Sequence, residues 1–420
     1  MRVMQDPALP EFVGRFQDVT TYQEIEEVMR SSDFRQSGAP ERRVFFEDTL
    51  IYAEGERHSE LKELFRSLMS RDAMAYYELH LLEPVISSVL DSLKARRGAD
   101  GLVRVELLGL VRVMLHRISA GVTGVDNVDT PERTERFAQL ITVLSEAVAG
   151  QWTKRGTEAV IAEGRQVLAA LVDEFLQPSL DRRLALADQF RQKKIAAEDL
   201  PRDVLMTMCL ADDVYKPNDA TRIPYVWRQC SLFLSASIQT TSQSVPHLIV
   251  HLDEWVREHP EDREKLTDPI FLRKAATESL RLHQSSPVKF REAVKDLTLS
   301  TGRKVAAGET VALHTTYANF DPSLFGEDAR SFNPNREPPS GMMPWGLTFG
   351  IGRHMCFGSN LVIGIRGKAD QKHGTDGTLI NIVRSLYERG CRLDPMAPPR
   401  ATEASFHDAF ESVPVILAGL

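Results

Sequence analysis

The run Phe349-Gly350-Ile351-Gly352-Arg353-His354-Met355-Cys356-Phe357-Gly358 sets one thiol in a glycine-rich stretch, ahead of an apolar run from Leu361 to Ile365 that can begin a helix. Glycines at 350, 352 and 358 free the backbone to take positive φ angles and to approach a flat partner closely, where side chains would forbid it. Backbone N–H groups around Cys356, near a helix start, can donate to the sulfur and hold it as a thiolate. Such a sulfur serves as an anionic metal ligand. The chain has four cysteines, Cys209, Cys230, Cys356 and Cys391, and no CxxC pair, which argues against a disulfide framework and a structural zinc site. Three of them lie in apolar helical stretches and read as small buried hydrophobes. The glycines and His354 set Cys356 apart.

A second grouping precedes the loop. Glu278-Ser279-Leu280-Arg281 lies in a helical stretch, so its carboxylate and guanidinium share one face. Alone, that spacing is an ordinary solvated ion pair. Phe332-Asn333-Pro334-Asn335-Arg336 follows it and brings a further guanidinium.

The elements that must position these groups are mostly helical. Residues 18–30 pass from a short β-prone run into a helical period, and 59–69 repeat leucine and phenylalanine at helical spacing. Segments 77–96, 102–121, 132–150, 157–176 and 198–211 carry apolar residues at three- and four-residue intervals. Residues 224–258 form the longest candidate, opened by Pro224, apolar nearly all round to Val250, and about 50 Å long. Pro246 removes one backbone bond and should bend or end that helix about a turn earlier, near Ser242. After 287 the texture turns to short strands: Asp296 to Ser300, a Thr301-Gly302 turn, Lys304 to Ala306, Glu309 to His314, and finally Glu411 to Leu417. The expected fold is mainly α with a minor antiparallel β portion. With no repeat or linker in view, 1–420 reads as a single domain, its helical body at about 55–285 and its β-containing, cysteine-bearing part at about 286–420.

Composition fits a globular protein, with 42% hydrophobic and 26% charged residues in 420. The formal charge of -8 gives no broad basic field, which argues against nucleic acid as a partner. No apolar stretch reaches membrane-spanning length and the N-terminus lacks a signal pattern, so a soluble, cytoplasmic protein without a membrane partner is expected.

The cysteine loop resembles the haem-binding loop of the cytochrome P450 family, FGxGxHxCxG, with all six specified positions filled. The likeness runs from roughly residue 18 to 418 with motif order intact. It implies the P450 fold and haem b, with Cys356 as axial ligand to the iron and Phe349, Gly350 and Gly358 lying against the macrocycle. It implies a proximal brace of Glu278 and Arg281, the family's ExxR, with Arg336 from its FxPxR. It also assigns the haem carboxylates to His58, Arg291 and His354, with Lys62 standing where the family often has Arg. On the long helix the family pattern AGx(D/E)T falls on Ala236-Ser237-Ile238-Gln239-Thr240-Thr241. The small residue opens a space for oxygen, and the acid and alcohol relay protons. Thr240 matches the alcohol, Ser237 replaces the glycine, and Gln239 replaces the acid. An amide can orient water but cannot carry a proton as a carboxylate does.

Two further departures stand out. Little precedes Val19, and a polar, glycine-rich insertion at 367–377 interrupts the helix after the loop, near the face where electron donors usually dock. The resemblance implies a monooxygenase that activates O2 to oxidise a small organic substrate, most simply by hydroxylation or O/N-dealkylation. Electrons would come from a separate ferredoxin and ferredoxin reductase, met by Arg66 and Arg353. Pocket segments would lie around Arg42–Phe46, Phe233–Thr241, Ser286–Lys289 and Phe406–Phe410, a lining compatible with an aromatic or acidic substrate. Two alternatives remain at this point: a P450-type enzyme using peroxide or performing ring coupling or dehydrogenation, which Gln239 motivates, and a haem-binding protein without turnover.

Overall fold

A computed structural model describes residues 3–38, 40–211, 223–367, 374–406 and 408–420. Its strands are β1 (Gln17–Val19), β2 (Phe34–Gln36), β3 (Val103–Glu106), β4 (Val288–Ala293), β5 (Leu297–Thr298), β6 (Lys304–Val305), β7 (Thr310–His314), β8 (Cys391–Leu393), β9 (Arg400–Ala401), β10 (Phe410–Ser412) and β11 (Pro414–Leu417). They form small sheets in the orders β1-β7-β4-β2, β3-β11-β8, β5-β6 and β10-β9. Every pairing is antiparallel except that of β1 with β7. The rest is predominantly helical, as expected.

The expected division of helices and strands needs correction. Within the expected helical body β3 is a strand, and β1, β2 and β3 all supply partners for strands that come late in the chain. The helix expected from 102 begins at Leu107. Val103-Arg104-Val105-Glu106 buries its two valines and exposes its two charged residues, a period of two that pairs with β11. Helices Pro131–Val148 and Thr157–Leu171 match expectation, while the segment expected at 198–211 shortens to Val204–Leu210. There Asp203 caps the first turn by accepting from the Met206 N–H at 2.7 Å.

The long helix spans Tyr225–Glu258 and includes Pro246, which does not end it. The side chains flanking the proline, Val245, Leu248, Ile249 and Leu252, are all buried. At roughly 1.5–3 kcal/mol each, their burial outweighs the approximately 3 kcal/mol a helix-interior proline costs.

Two compact units emerge from the described residues. One comprises 1–38, 86–111 and 241–420, the other 39–85 and 112–240. In the first unit a core cluster gathers Val19, Ile25, Val28, Met29, Phe34, Val311 and Leu313 from the sheet and its neighbouring helix Tyr22–Arg30. Leu347 and Ile351 belong to the same cluster, so the cysteine loop is anchored in the sheet's core. In the second unit Arg183 is buried between Asp203, at 2.9 Å, and Asp126. This ion triad ties the helix Gln177–Arg191 to the start of Val204–Leu210.

His116, on the helix Leu107–Thr123, is buried against Phe137 and bonds the Arg112 carbonyl through Nδ1. Burial pushes its imidazole down to about 4 from an ordinary 6.5. The unfolded chain therefore takes up this proton first as pH falls, and the stability held above pH 6.5 is lost towards pH 4. The full swing is on the order of 3 kcal/mol. His116→Leu is expected to unfold with a visibly flatter dependence between pH 6.5 and 4 in denaturant titrations. Parallel curves for the two proteins would refute this account.

Candidate active site

The cysteine loop is built from its anchors outward. Leu347 and Ile351 plug into the core, and the Cys356 N–H donates to the Phe349 carbonyl at 2.7 Å, folding the loop back on itself. Gly350 and Gly352 take φ of 67° and 73°, as the sequence suggests, whereas Gly358 sits at an ordinary -85°. Gly352 also has no room for a side chain, since a Cβ there would lie 2.6 Å from the Met29 carbonyl oxygen. A Cβ on Gly358 would meet no protein atom within 4 Å, so the protein leaves that side of the residue uncovered.

Cys356 is exposed, alone among the four cysteines; the other three are buried as expected. The residue is exposed, yet protein around the thiol desolvates it and raises its pKa, opposed by the backbone N–H groups of Gly358 and Ser359 and by the Lys289 ammonium. The donors aimed at the sulfur are those that would stabilise a thiolate once a cation shares its charge.

Behind the loop, Arg281 is fully buried and makes a two-pronged bond to Glu278, with Nε–Oε2 at 2.7 Å and Nη2–Oε1 at 2.8 Å. Arg336 reaches the same carboxylate at 3.0 Å and also pairs with Asp328 at 2.7 Å. The Asn333 N–H adds a bond to Glu278, and Arg281 lies over the Phe325 ring at 4.8 Å. The structure thus brings together the three residues expected to form the brace.

On β4, Arg291 is buried and bonds Gln36 of the neighbouring strand. His354 is half-buried within the loop. Lys289, two residues before Arg291 and hence on the same face of the strand, emerges as a site residue that the sequence reading had placed only in a pocket segment. Its ammonium bonds the Ser286 carbonyl at 3.2 Å. Burial first, then the Arg291 charge, push it down to about 7, while Cys356 acts in the opposite direction. The two-residue period of a strand was the signal that could have paired it with Arg291.

The remaining expected residues belong to the second unit. His58 is buried on the helix Gly55–Phe65, one turn from Lys62, whose ammonium burial pushes down. Along the long helix from Tyr225 to Val256, Ala236 and Gln239 are the exposed positions, with Phe233, Ser237 and Thr240 half-buried beside them. A helix that is buried or half-buried over the rest of that length therefore leaves one open stripe, at the place where the sequence put the oxygen and proton residues. The Thr240 hydroxyl donates to the Ala236 carbonyl at 2.7 Å. Ser237 is turned away, donating to the Phe233 carbonyl at 2.7 Å and meeting the Ser119 hydroxyl at 2.8 Å. Of the expected pocket segments, the Arg42 side chain and His407 lie outside the described residues, as do 368–373 of the insertion.

The profile of the cytochrome P450 family matches residues 252–363, a stretch that holds Glu278, Arg281, Arg336 and Cys356. Over that stretch the chain is similar to the cytochrome P450 family. Among characterised relatives it is 21% identical to indoleacetaldoxime dehydratase of Arabidopsis thaliana over 83% of this chain and 74% of that protein. It is 31% identical to a steroid C26-monooxygenase of Mycolicibacterium smegmatis over 42% of this chain and 38% of the relative. Its fold matches CYP154A1 of Streptomyces coelicolor A3(2), with a TM-score of 0.70 at 19% identity over 95% of this chain and 91% of that one. It also matches P450BioI, solved with an acyl carrier protein, with a TM-score of 0.68 at 18% identity and the same coverage of both chains. Among the described residues no helix is long and apolar enough to cross a membrane.

The family and the fold imply haem and class the chain as an oxidoreductase of the monooxygenase type. In the first unit the residues present fit the cofactor. An exposed thiol with donors trained on its sulfur and an open face at Gly358 suit an iron ligand and its macrocycle. When bound, haem supplies redox chemistry at iron, and a thiolate ligand favours O–O cleavage.

The proximal brace yields a prediction. Removing the shared carboxylate in Glu278→Ala leaves Arg281 buried without its counter-charge, which should cost about 3–5 kcal/mol. Chemical denaturation would measure it. A loss under about 1 kcal/mol would show that the network does not brace the loop.

Proposed function

We propose that this P450 activates O2 to oxidise a small organic substrate, by hydroxylation or O/N-dealkylation, with electrons from a separate ferredoxin and ferredoxin reductase. Residues 1–420 act in this reading as one P450 domain. The exposed sulfur of Cys356 carries the proposal, because a free thiol held open on an otherwise anchored loop serves as a ligand rather than as packing. Arg291, His354, His58 and Lys62 would hold the haem carboxylates, joined by Lys289, whose depressed pKa a neighbouring anion would raise again. Thr240 would orient water at the open stripe of the long helix. Ser237, whose hydroxyl is shared with Phe233 and Ser119, would serve as a spacer there.

A second reading has its own support. The open stripe presents the Gln239 amide where a carboxylate would carry protons. A peroxide-driven or atypical oxidation would fit that replacement.

Reduced, haem-loaded protein should give a carbon monoxide adduct with the red-shifted absorption of a thiolate-bound haem, and Cys356→Ala should lose it. An unshifted band in the parent protein would end this reading. Gln239→Glu should raise NADPH-driven product formation, through a surrogate ferredoxin system, by tenfold or so while leaving the peroxide-driven rate unchanged. Equal changes in both rates, or none in either, would favour the second reading.

A further inference from the structure

Away from the loop, the first unit assembles a histidine cluster that the chemistry above does not use. His247 and His251 stand one turn apart on the long helix, and both are buried. His283 caps the end of the helix Pro269–Leu282, and its ring stacks on His247 at 3.7 Å between centroids. Asp408 arrives from the segment before β10. That segment is clamped to the long helix by Gln243, whose amide accepts from the Phe410 N–H at 3.0 Å and donates to the Phe410 carbonyl at 3.3 Å. The clamp carries Asp408 over the imidazoles: its carboxylate bonds His283 Nδ1, and its carbonyl lies 3.1 Å from His247 Nε2. One ligand atom each from His247, His283 and Asp408 lies within 4.8 Å of the others.

We propose that His247, His283 and Asp408 bind one divalent transition metal ion of the zinc type. Two neutral imidazoles and a carboxylate form a donor set zinc prefers, and the half-exposed Asp408 leaves a side through which water can complete four-coordination. Ligands about 2.0–2.2 Å from zinc require the three atoms to close by roughly an ångström and the stacked rings to tilt apart. The orienting partners are already in place. His283 Nε2 lies 3.2 Å from His251 Nε2, and His251 Nδ1 lies 3.0 Å from the Ser279 hydroxyl.

Without metal, His283 Nδ1–H donates to Asp408, so His283 Nε2 accepts from His251. Metal at Nδ1 moves that proton to Nε2, which then donates to His251 Nε2, and His251 Nδ1–H donates to Ser279. The whole chain of tautomers reverses with no net proton released, and His251 becomes the group that orients a metal-bound imidazole. Phe332 stacked on His251 at 4.6 Å and Phe410 beside His247 at 4.7 Å wall the cluster with apolar surface. The proposal does not depend on Cys356 or on haem.

The test uses untagged, haem-loaded full-length protein, stripped with a chelator and titrated with zinc against a chromophoric competitor. One equivalent should bind with micromolar or tighter affinity. The double substitution His247→Gln, Asp408→Asn should abolish that equivalent, and His251→Leu should weaken it about 10–100-fold. Equal binding by parent and double variant would overturn the site. Should the variants fold poorly, X-ray absorption at the zinc edge of the parent protein decides alone: imidazole nitrogens at about 2.0 Å support the site, and a shell without imidazole refutes it.

Discussion

A thiol that must stay both reachable and strongly held is the constraint around which this molecule is organised. Reachability alone would come from any surface loop, but such a loop would let the sulfur wander by ångströms. Here the hold comes from Leu347 and Ile351 in the sheet's core, from the internal bond of the Cys356 N–H to Phe349, and from the close approach of Gly352 to Met29. The openness is what remains once those anchors have fixed every other direction. Electrostatics then sets the state of the sulfur, with desolvation raising its pKa and N–H dipoles and Lys289 resisting that rise.

The brace of Glu278, Arg281 and Arg336 pursues the same end by less forgiving means. A charge as deeply buried as Arg281 is tolerable only because the carboxylate meets it with two parallel bonds and a second guanidinium shares that carboxylate. Such a lattice contributes modestly to net stability but resists displacement, since moving one member strands the others. It thereby transmits rigidity to the segment carrying Phe332 and Arg336.

Much of this was legible in the sequence wherever a local pattern carried its own physics. The loop's glycines, the ExxR pair and the apolar period of the long helix each declare a geometry within a few residues, and the structure realises those geometries. What escaped is non-local. Val103 to Glu106 read as the start of a helix because its partner, β11, lies some three hundred residues away in sequence. Pro246 was expected to bend or end the helix, and that the helix runs through it was hidden because nothing nearby reveals how thoroughly its neighbours are buried. Lys289 became visible only when β4 fixed which face it shares with Arg291, and the histidines at 247, 251 and 283 look unrelated until the long helix, the end of a second helix and a late segment converge. Gly358 shows the finer limit: the positive φ expected of it is absent, and what the structure shows instead is open space beside it.

The base of the insertion after the loop is closed by its own bonds. Ile365 and Thr375 exchange backbone bonds of 3.0 and 2.9 Å, and Arg273 clasps the carbonyls of Ile363 and Thr375 from the helix below. Two stretches of chain tied together in this way, with Arg273 fastened across both, pass little strain from one side of the tie to the other. The cysteine-bearing turn a few residues before Ile365 is thereby insulated from strain that arises beyond that tie.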